Sequence, residues 1–256
     1  GNPNAGVRGF GTWDASLDHS EYGWAVPQLY AELAYYDWSI KAGHFFSLFG
    51  YEAVASSRNF FYSHSYAFSN NQALTLTGLL ASYTGYENWT LYGGWTLGWD
   101  TGFDQLNQGN NFLGGFSYAL SDWAQFSYYA TYGNFGWRDG GDDNSIQQIA
   151  MLNMSLTDQL TWVIQLDQLD TSNPGVSEFD TIGLTNYLIY RFSDMIALGG
   201  RYEAWKADGV SFFEATGGVN IYLTENLVFR PEVRQDWAPG IGLDEDTAAI
   251  DVILMY

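Results

Sequence analysis

The chain has 256 residues with 29 acidic and 9 basic side chains, a formal net charge of −20 and no cysteine; 46% of it is hydrophobic and 18% aromatic, yet only 15% is charged. So many aromatics offset ordering entropy and exclude intrinsic disorder. Scarce Lys and Arg leave no footprint for a nucleic-acid partner, and the lack of cysteine excludes a disulfide scaffold or a cysteine-ligated metal.

The charged fraction lies well below the roughly 25% of soluble domains. No run of about 18 apolar residues is present, so the sequence encodes no transmembrane helix. No charged segment followed by an apolar one stands at the start, as expected of a mature or trimmed product.

In chain order, alternating side chains predict strands near 6–15, 26–36, 38–47, 72–85, 89–99, 111–120, 123–133, 146–156, 160–169, 180–192, 195–206, 212–223, 227–237 and 247–256. Six short acidic turns punctuate them: Tyr36-Asp37-Trp38, Glu87-Asn88-Trp89, Ser121-Asp122-Trp123, Thr157-Asp158-Gln159, Ser193-Asp194-Met195 and Thr224-Glu225-Asn226. From Glu87 onward their acids are spaced by 35, 36, 36 and 31 residues. Each interval holds a strand, a polar Gly/Asp/Asn-rich loop and a second strand. Strands of about 10 to 12 residues cross a bilayer when tilted. The expected fold is therefore all-β, a transmembrane antiparallel up-and-down β-barrel. It forms one domain over 1–256 with 14 visible strands, short periplasmic turns and long extracellular loops; a missing N-terminal hairpin would raise the count to 16.

Along 89–99 one face carries Trp89, Leu91, Gly93, Trp95, Leu97 and Trp99, and the other Thr90, Tyr92, Gly94, Thr96 and Gly98. Along 227–237, Leu227, Phe229, Pro231, Val233 and Trp237 share one face, and Arg230, Glu232, Arg234 and Asp236 the other. Facing hydrocarbon would cost about 2–4 kcal/mol for a midplane Arg, so the charged face belongs to a watery lumen. Pro231 lacks a ladder N–H and predicts a bulge or a missed pair. A soluble β-sandwich also alternates, but its strands are usually about 5 to 6 residues long. Trp38, Trp89, Trp123, Phe192 and Tyr222 stand beside the tight turns, as interfacial girdles do. The last strand ends on Tyr256, with Ile250, Val252 and Leu254 on the same face.

Residues 26–100 carry a more specific signal in Val26-Pro27-Gln28-Leu29-Tyr30-Ala31-Glu32-Leu33, Lys41-Ala42-Gly43-His44-Phe45, Gly50-Tyr51-Glu52, Asn59-Phe60-Phe61-Tyr62-Ser63-His64-Ser65-Tyr66 and Gly98-Trp99-Asp100. Together with Asn186-Tyr187-Leu188 and Arg230-Pro231-Glu232-Val233-Arg234-Gln235-Asp236-Trp237, this resembles the OmpL-like β-barrel porins of bacterial outer membranes. The resemblance covers most of the chain and implies a pore for small solutes in outer-membrane lipid, with a homotrimer as the assembly such porins often form. Members usually carry more sequence ahead of the Pro-Gln-x-Tyr strand than the 25 or so residues here.

A barrel of 14 to 16 strands leaves an aqueous channel. Its expected pore-lining charges are Glu32, Lys41, Asp167, Arg201, Glu203, Glu214, Arg230, Glu232, Arg234, Asp236 and Asp251. Opposed rows would set up a transverse field on passing solutes; the alternative is that they form salt bridges along the wall. The long connection 48–71 is too aromatic to hang in water, with Tyr51, Phe60, Phe61, Tyr62, Tyr66 and Phe68. It is expected to fold inward and constrict the pore, with Glu52, Arg58, Tyr62 and His64 as its selectivity elements; a lid over the rim or a subunit contact is the alternative.

The acids Asp139, Asp142, Asp143, Asp170, Glu178, Asp208, Asp244, Glu245 and Asp246 are assigned to long loops, where they would attract cations. The run Asp139-Gly140-Gly141-Asp142-Asp143-Asn144 could hold calcium but lacks a full spaced loop with a terminal Glu, so no cofactor is expected. His44 and His64, near Ser47, Ser63 and Ser65, leave a Ser/His hydrolase conceivable. The expected function is a porin for passive diffusion of small polar solutes and ions with a modest cation preference, not an enzyme. The rival is a structural or interaction barrel serving as scaffold or sheath for a surface partner.

Overall fold

A computed structural model describes residues 26–136, 144–171 and 179–255. It shows thirteen strands: β1 Leu29–Tyr35, β2 Trp38–Phe46, β3 Thr75–Tyr83, β4 Trp89–Trp99, β5 Asn110–Ser121, β6 Ala124–Asn134, β7 Ser145–Ser155, β8 Leu160–Thr171, β9 Phe179–Arg191, β10 Ile196–Ala207, β11 Val210–Thr224, β12 Leu227–Ala238 and β13 Leu243–Leu254. All lie in one sheet in sequence order, each antiparallel to the next, as an up-and-down barrel requires. The expected strand near 6–15, Tyr256 and most of the 139–144 run lie outside the described residues. No described helix is long and apolar enough to cross a membrane.

Alternation sets each strand's two faces, because successive side chains point to opposite sides. On β12, Val228, Arg230, Glu232 and Ala238 are buried, whereas Val233 on the other face is 62% exposed. On β5, Asn111, Leu113 and Ser117 are buried while Phe112 and Leu120 are exposed. Outward faces are thus apolar and inward faces mostly polar. The six acidic turns gather at one rim, where Trp38, Trp89, Trp123 and Phe192 are exposed beside them. Tyr222 differs: it points inward, with the Arg191 guanidinium 5.2 Å from its ring centroid.

Two connections at the opposite rim are shorter than expected. Ala207 and Val210 are paired, leaving the two-residue turn Asp208-Gly209 with φ of 47° and 86°. Positive φ at both positions is the primed turn that suits the twist of a hairpin. Similarly, β13 begins at Leu243 instead of near 247, so Asp244, Glu245 and Asp246 are strand residues at the rim. Asp170 likewise lies within β8, one residue before its end. Pro231 sits opposite Ile250 on β13, while rungs to β11 are missing between Gly218–Glu232 and Ile221–Phe229 with no change of register, which is the missed pair expected of proline.

The core is internal. Phe45, Phe49, Leu76, Trp99, Leu113, Tyr129, Phe135, Ile149 and Leu169 form one buried cluster, and Trp99 stacks on Phe135 at 4.2 Å. Phe49 belongs to residues 47–74, the connection between β2 and β3, so that segment runs inside the barrel.

Candidate functional site

An irregular segment inside a barrel must satisfy its own backbone polar groups, and at membrane depth it persists only where protein or water does this. Here the inner wall of β8–β12 supplies the partners. Carboxylates accept N–H groups: Glu232 from Tyr62 N (2.7 Å) and Ser63 N (3.1 Å), Glu203 from Tyr66 N (2.5 Å) and Ala67 N (2.8 Å). Arginines donate to carbonyls: Arg201 to Ser63 (2.8 Å), Arg230 to Asn59 (2.6 Å) and Ser56 (3.1 Å), Arg234 to His64 (2.6 Å). The two polarities of wall charge match the two polarities of the peptide group.

Within the segment, Ser56–Arg58 forms a 3-10 turn and Tyr66–Asn71 a short helix, α1. Ser65 caps α1, its hydroxyl accepting from Phe68 N at 3.1 Å while Glu52 accepts from Ser65 N and Oγ at 2.9 Å. Asn71 accepts from Thr181 Oγ1 (2.8 Å) and Trp205 Nε1 (3.1 Å). Asp100 fixes the exit, accepting from Leu74 N (2.8 Å) and Thr75 N (2.7 Å). Gly199 faces inward under Phe60, where a Cβ would stand 2.2 Å from the ring, so glycine makes room for that aromatic.

Arg201 is the hub. Its buried guanidinium meets Glu52 Oε1 at 2.6 Å and Glu214 Oε1 at 2.5 Å, with Phe61 packed on its face at 5.2 Å. Arg234 pairs with Asp236 (2.6 Å) and stands 3.8 Å from Glu214, while Arg230 pairs with Asp251. Asp167 accepts from Gln165 (2.7 Å) and Gln72 (3.1 Å).

These contacts revise the expected arrangement of charge. Arg201, Arg230, Glu203, Glu214, Glu232 and Asp167 face inward but are buried beneath the loop, so they do not line open water. The physical reason is the segment 47–74: its N–H and C=O groups claim Arg201, Arg230, Glu203 and Glu232, the side chain of its Gln72 donates to Asp167, and Glu214 is held in turn by Arg201. Wall and loop pairing, not opposed open rows, describes Arg201, Arg230, Arg234, Asp236 and Asp251. Lys41 and Glu32 form a looser pair at 3.9 Å, both partly exposed. In the loop, Glu52 is buried, Tyr62 and Arg58 are exposed, and His64 stacks on Phe68 at 4.3 Å. Arg58 makes no ion pair among the described residues.

Burial lowers the pKa of His64 from its ordinary value, partly opposed by the nearby Glu52. Burial raises that of Tyr51, helped by Glu52. Tyr66 is raised chiefly by burial and then by its 2.7 Å hydrogen bond to Asp236. His64 Nε2 lies 3.1 Å from the Asn59 carboxamide and His44 Nδ1 2.7 Å from the Thr77 hydroxyl; neither contact is to a serine. No group of three or more described His, Asp or Glu side chains could hold a metal.

The inner wall of β4–β7 is uncharged, with Thr96, Asn111, Ser127, Thr131 and Gln147 buried and Ser117 bonded to Ser127 (2.8 Å) and Tyr129 (3.0 Å). Toward the short-turn rim it opens on a cavity of about 470 Å³ lined by residues that include Asp37, Glu87, Trp89, Thr90, Ser117 and Gln125. Sequence reasoning missed Gln72, Asp100 and Gln165 as anchors. For Gln165 the available signal was that it shares the inward face of Asp167.

A family model described as "Putative beta-barrel porin-2, OmpL-like" matches residues 2–252. Solved structures with a similar fold include an anion-selective porin from Comamonas acidovorans (10% identity, 94% of this chain and 80% of that one, TM-score 0.64). Two others are Pseudomonas aeruginosa OccK3 (13%, 87% and 67%, TM-score 0.60) and Acinetobacter baumannii OccAB3 (11%, 81% and 60%, TM-score 0.55). The chain thus spans 60% of the length of OccAB3. No curated protein matches it in sequence.

Proposed function

The chain belongs to the OmpL-like β-barrel porin family of bacterial outer membranes, and on that premise we propose that it passes small hydrophilic solutes and ions passively, with a modest preference for cations. One observation carries the preference: the inward arginines are committed while the rim carboxylates are free. Arg201, Arg230 and Arg234 are tied to carboxylates and loop carbonyls. Asp37, Glu87, Asp122, Asp158, Asp194 and Glu225 are exposed around the short-turn mouth, in no ion pair among the described residues. Arg191, the cation at that mouth among the described residues, donates to the Asp194 carbonyl at 3.3 Å. A mouth of one sign concentrates counter-ions, most strongly at low ionic strength.

The Comamonas acidovorans porin of similar fold is anion-selective, so the sign of selectivity is set by such placements and not by the fold. Reversal potential under a KCl gradient tests this: a potassium-selective sign is expected, and a chloride-selective sign contradicts it. A second reading, a structural barrel, is favoured by the dense fastening of 47–74 over β8–β12; it predicts no conductance at all.

A further inference from the structure

We propose that the cavity of about 470 Å³ at the short-turn mouth is a binding site for a neutral sugar of monosaccharide size; the inference rests on the porin reading and names a class of solute for it. Two sectors of the inner wall differ in chemistry. Over β8–β12 the inward charges are fastened to 47–74. Between β3 and β7, toward the short turns, the inward groups are neutral: Ser82 stands opposite Tyr92, Thr90 opposite Ser117, Ser117 opposite Ser127 and Gln125 opposite Asn153. None of the described lining residues comes from 47–74, so the loop leaves this cavity open. The Ser117 hydroxyl is positioned by Ser127 (2.8 Å) and Tyr129 (3.0 Å). Gln125 Nε2 donates to Ser127 Oγ at 3.3 Å, while Gln125 Oε1 accepts no hydrogen bond among the described residues.

The lining selects the occupant. Among the described residues it contains no Lys, Arg or His, which leaves an anion without a partner, and Asp37 and Glu87 repel one. An apolar solute would desolvate hydroxyls, carboxamides and carboxylates without replacing their hydrogen bonds. An organic cation would find only the two carboxylates, both exposed on turns, where a single ion pair contributes little. A sugar engages the whole lining, because each of its hydroxyls both donates and accepts. It donates to Gln125 Oε1 and to the carboxylates, and it accepts from the Thr90 hydroxyl. Tyr86 and Trp89 border the same cavity and offer ring surface to the C–H face of a pyranose. The volume falls within the span of about 300–1,000 Å³ typical of small-molecule sites.

The test is saturation-transfer NMR on the full chain in a detergent without a sugar headgroup, irradiating the aromatic protons and titrating glucose, glucuronate or glucosamine. Glucose is expected to give a saturable signal and glucuronate a much weaker one. Losing one neutral hydrogen bond weakens binding about fivefold, so Gln125→Leu and Thr90→Val should each raise the half-saturating glucose concentration by about that factor. Heat-modifiable gel migration reports that each variant is folded. No saturable glucose signal, equal signals from glucose and glucuronate, binding of glucosamine alone, or an unshifted curve in both variants would each overturn the proposal. Because binding is read without current, the two claims fail separately: glucose bound by a barrel that does not conduct would uphold the site and refute the pore, and conduction without glucose binding would do the reverse.

Discussion

Replacing Arg201 by methionine is the sharpest perturbation of the loop. The side chain is fully buried, with Glu52 at 2.6 Å and Glu214 at 2.5 Å, and it also donates to the Ser63 carbonyl. Removing one partner of a buried pair costs about 3–5 kcal/mol because the opposite charge is left uncompensated. Arg234 Nη1, 3.8 Å from Glu214, takes over part of that carboxylate, which favours the lower end. About 3 kcal/mol multiplies the undocked population of 47–74 by roughly a hundredfold. Most of the penalty resides in the orphaned carboxylates, so adding Glu52→Gln and Glu214→Gln to Arg201→Met should recover much of it. The assay is proteolysis within 47–74 under native conditions, whose rate tracks the open population when reclosing is fast. Single-channel recording should show added current fluctuations in the same variant. Wild-type cleavage rates and quiet channels in Arg201→Met would refute the role of Arg201 as hub.

Three further outcomes are expected. Gly199→Val must displace Phe60, an overpacking cost of about 1–3 kcal/mol, so cleavage near 60–62 should accelerate while β-sheet circular dichroism is retained. Because burial holds His64 below its ordinary pKa of about 6.5, the docked loop binds fewer protons than the undocked one. Docking is therefore unaffected above about pH 6.5 and weakens as pH falls below it, levelling off beneath the lowered value; His64→Gln should reduce the difference in loop cleavage between pH 7.5 and pH 5. Asn186 points outward on β9, five residues from Arg191, and its carboxamide makes no side-chain hydrogen bond among the described residues. Asn186→Leu relieves an unpaired carboxamide in hydrocarbon and should raise unfolding stability by about 1 kcal/mol, read as a higher urea midpoint.

Most of the strands were legible because lipid and lumen impose opposite polarity on successive residues; 227–237 reads its two faces directly. The inward loop was legible from Phe60, Phe61, Tyr66 and Phe68, which pack inside the barrel, whereas Tyr62 of the same aromatic run stays exposed. Its fastening was not. Arg201 meets Ser63 and Arg234 meets His64 across sequence separations of 138 and 170 residues, and no local pattern encodes such pairs. The Asp208-Gly209 turn and the start of β13 were misread for a local reason. Asp208, Asp244, Glu245 and Asp246 have the composition of a solvated loop, yet at a barrel rim the headgroup region solvates them within a hairpin or a strand.

The central claim, that the barrel conducts past its fastened loop, is tested most directly by adding the purified protein to a planar bilayer. Discrete, reproducible conductance steps are predicted. A folded protein that inserts and yields no steps would contradict it.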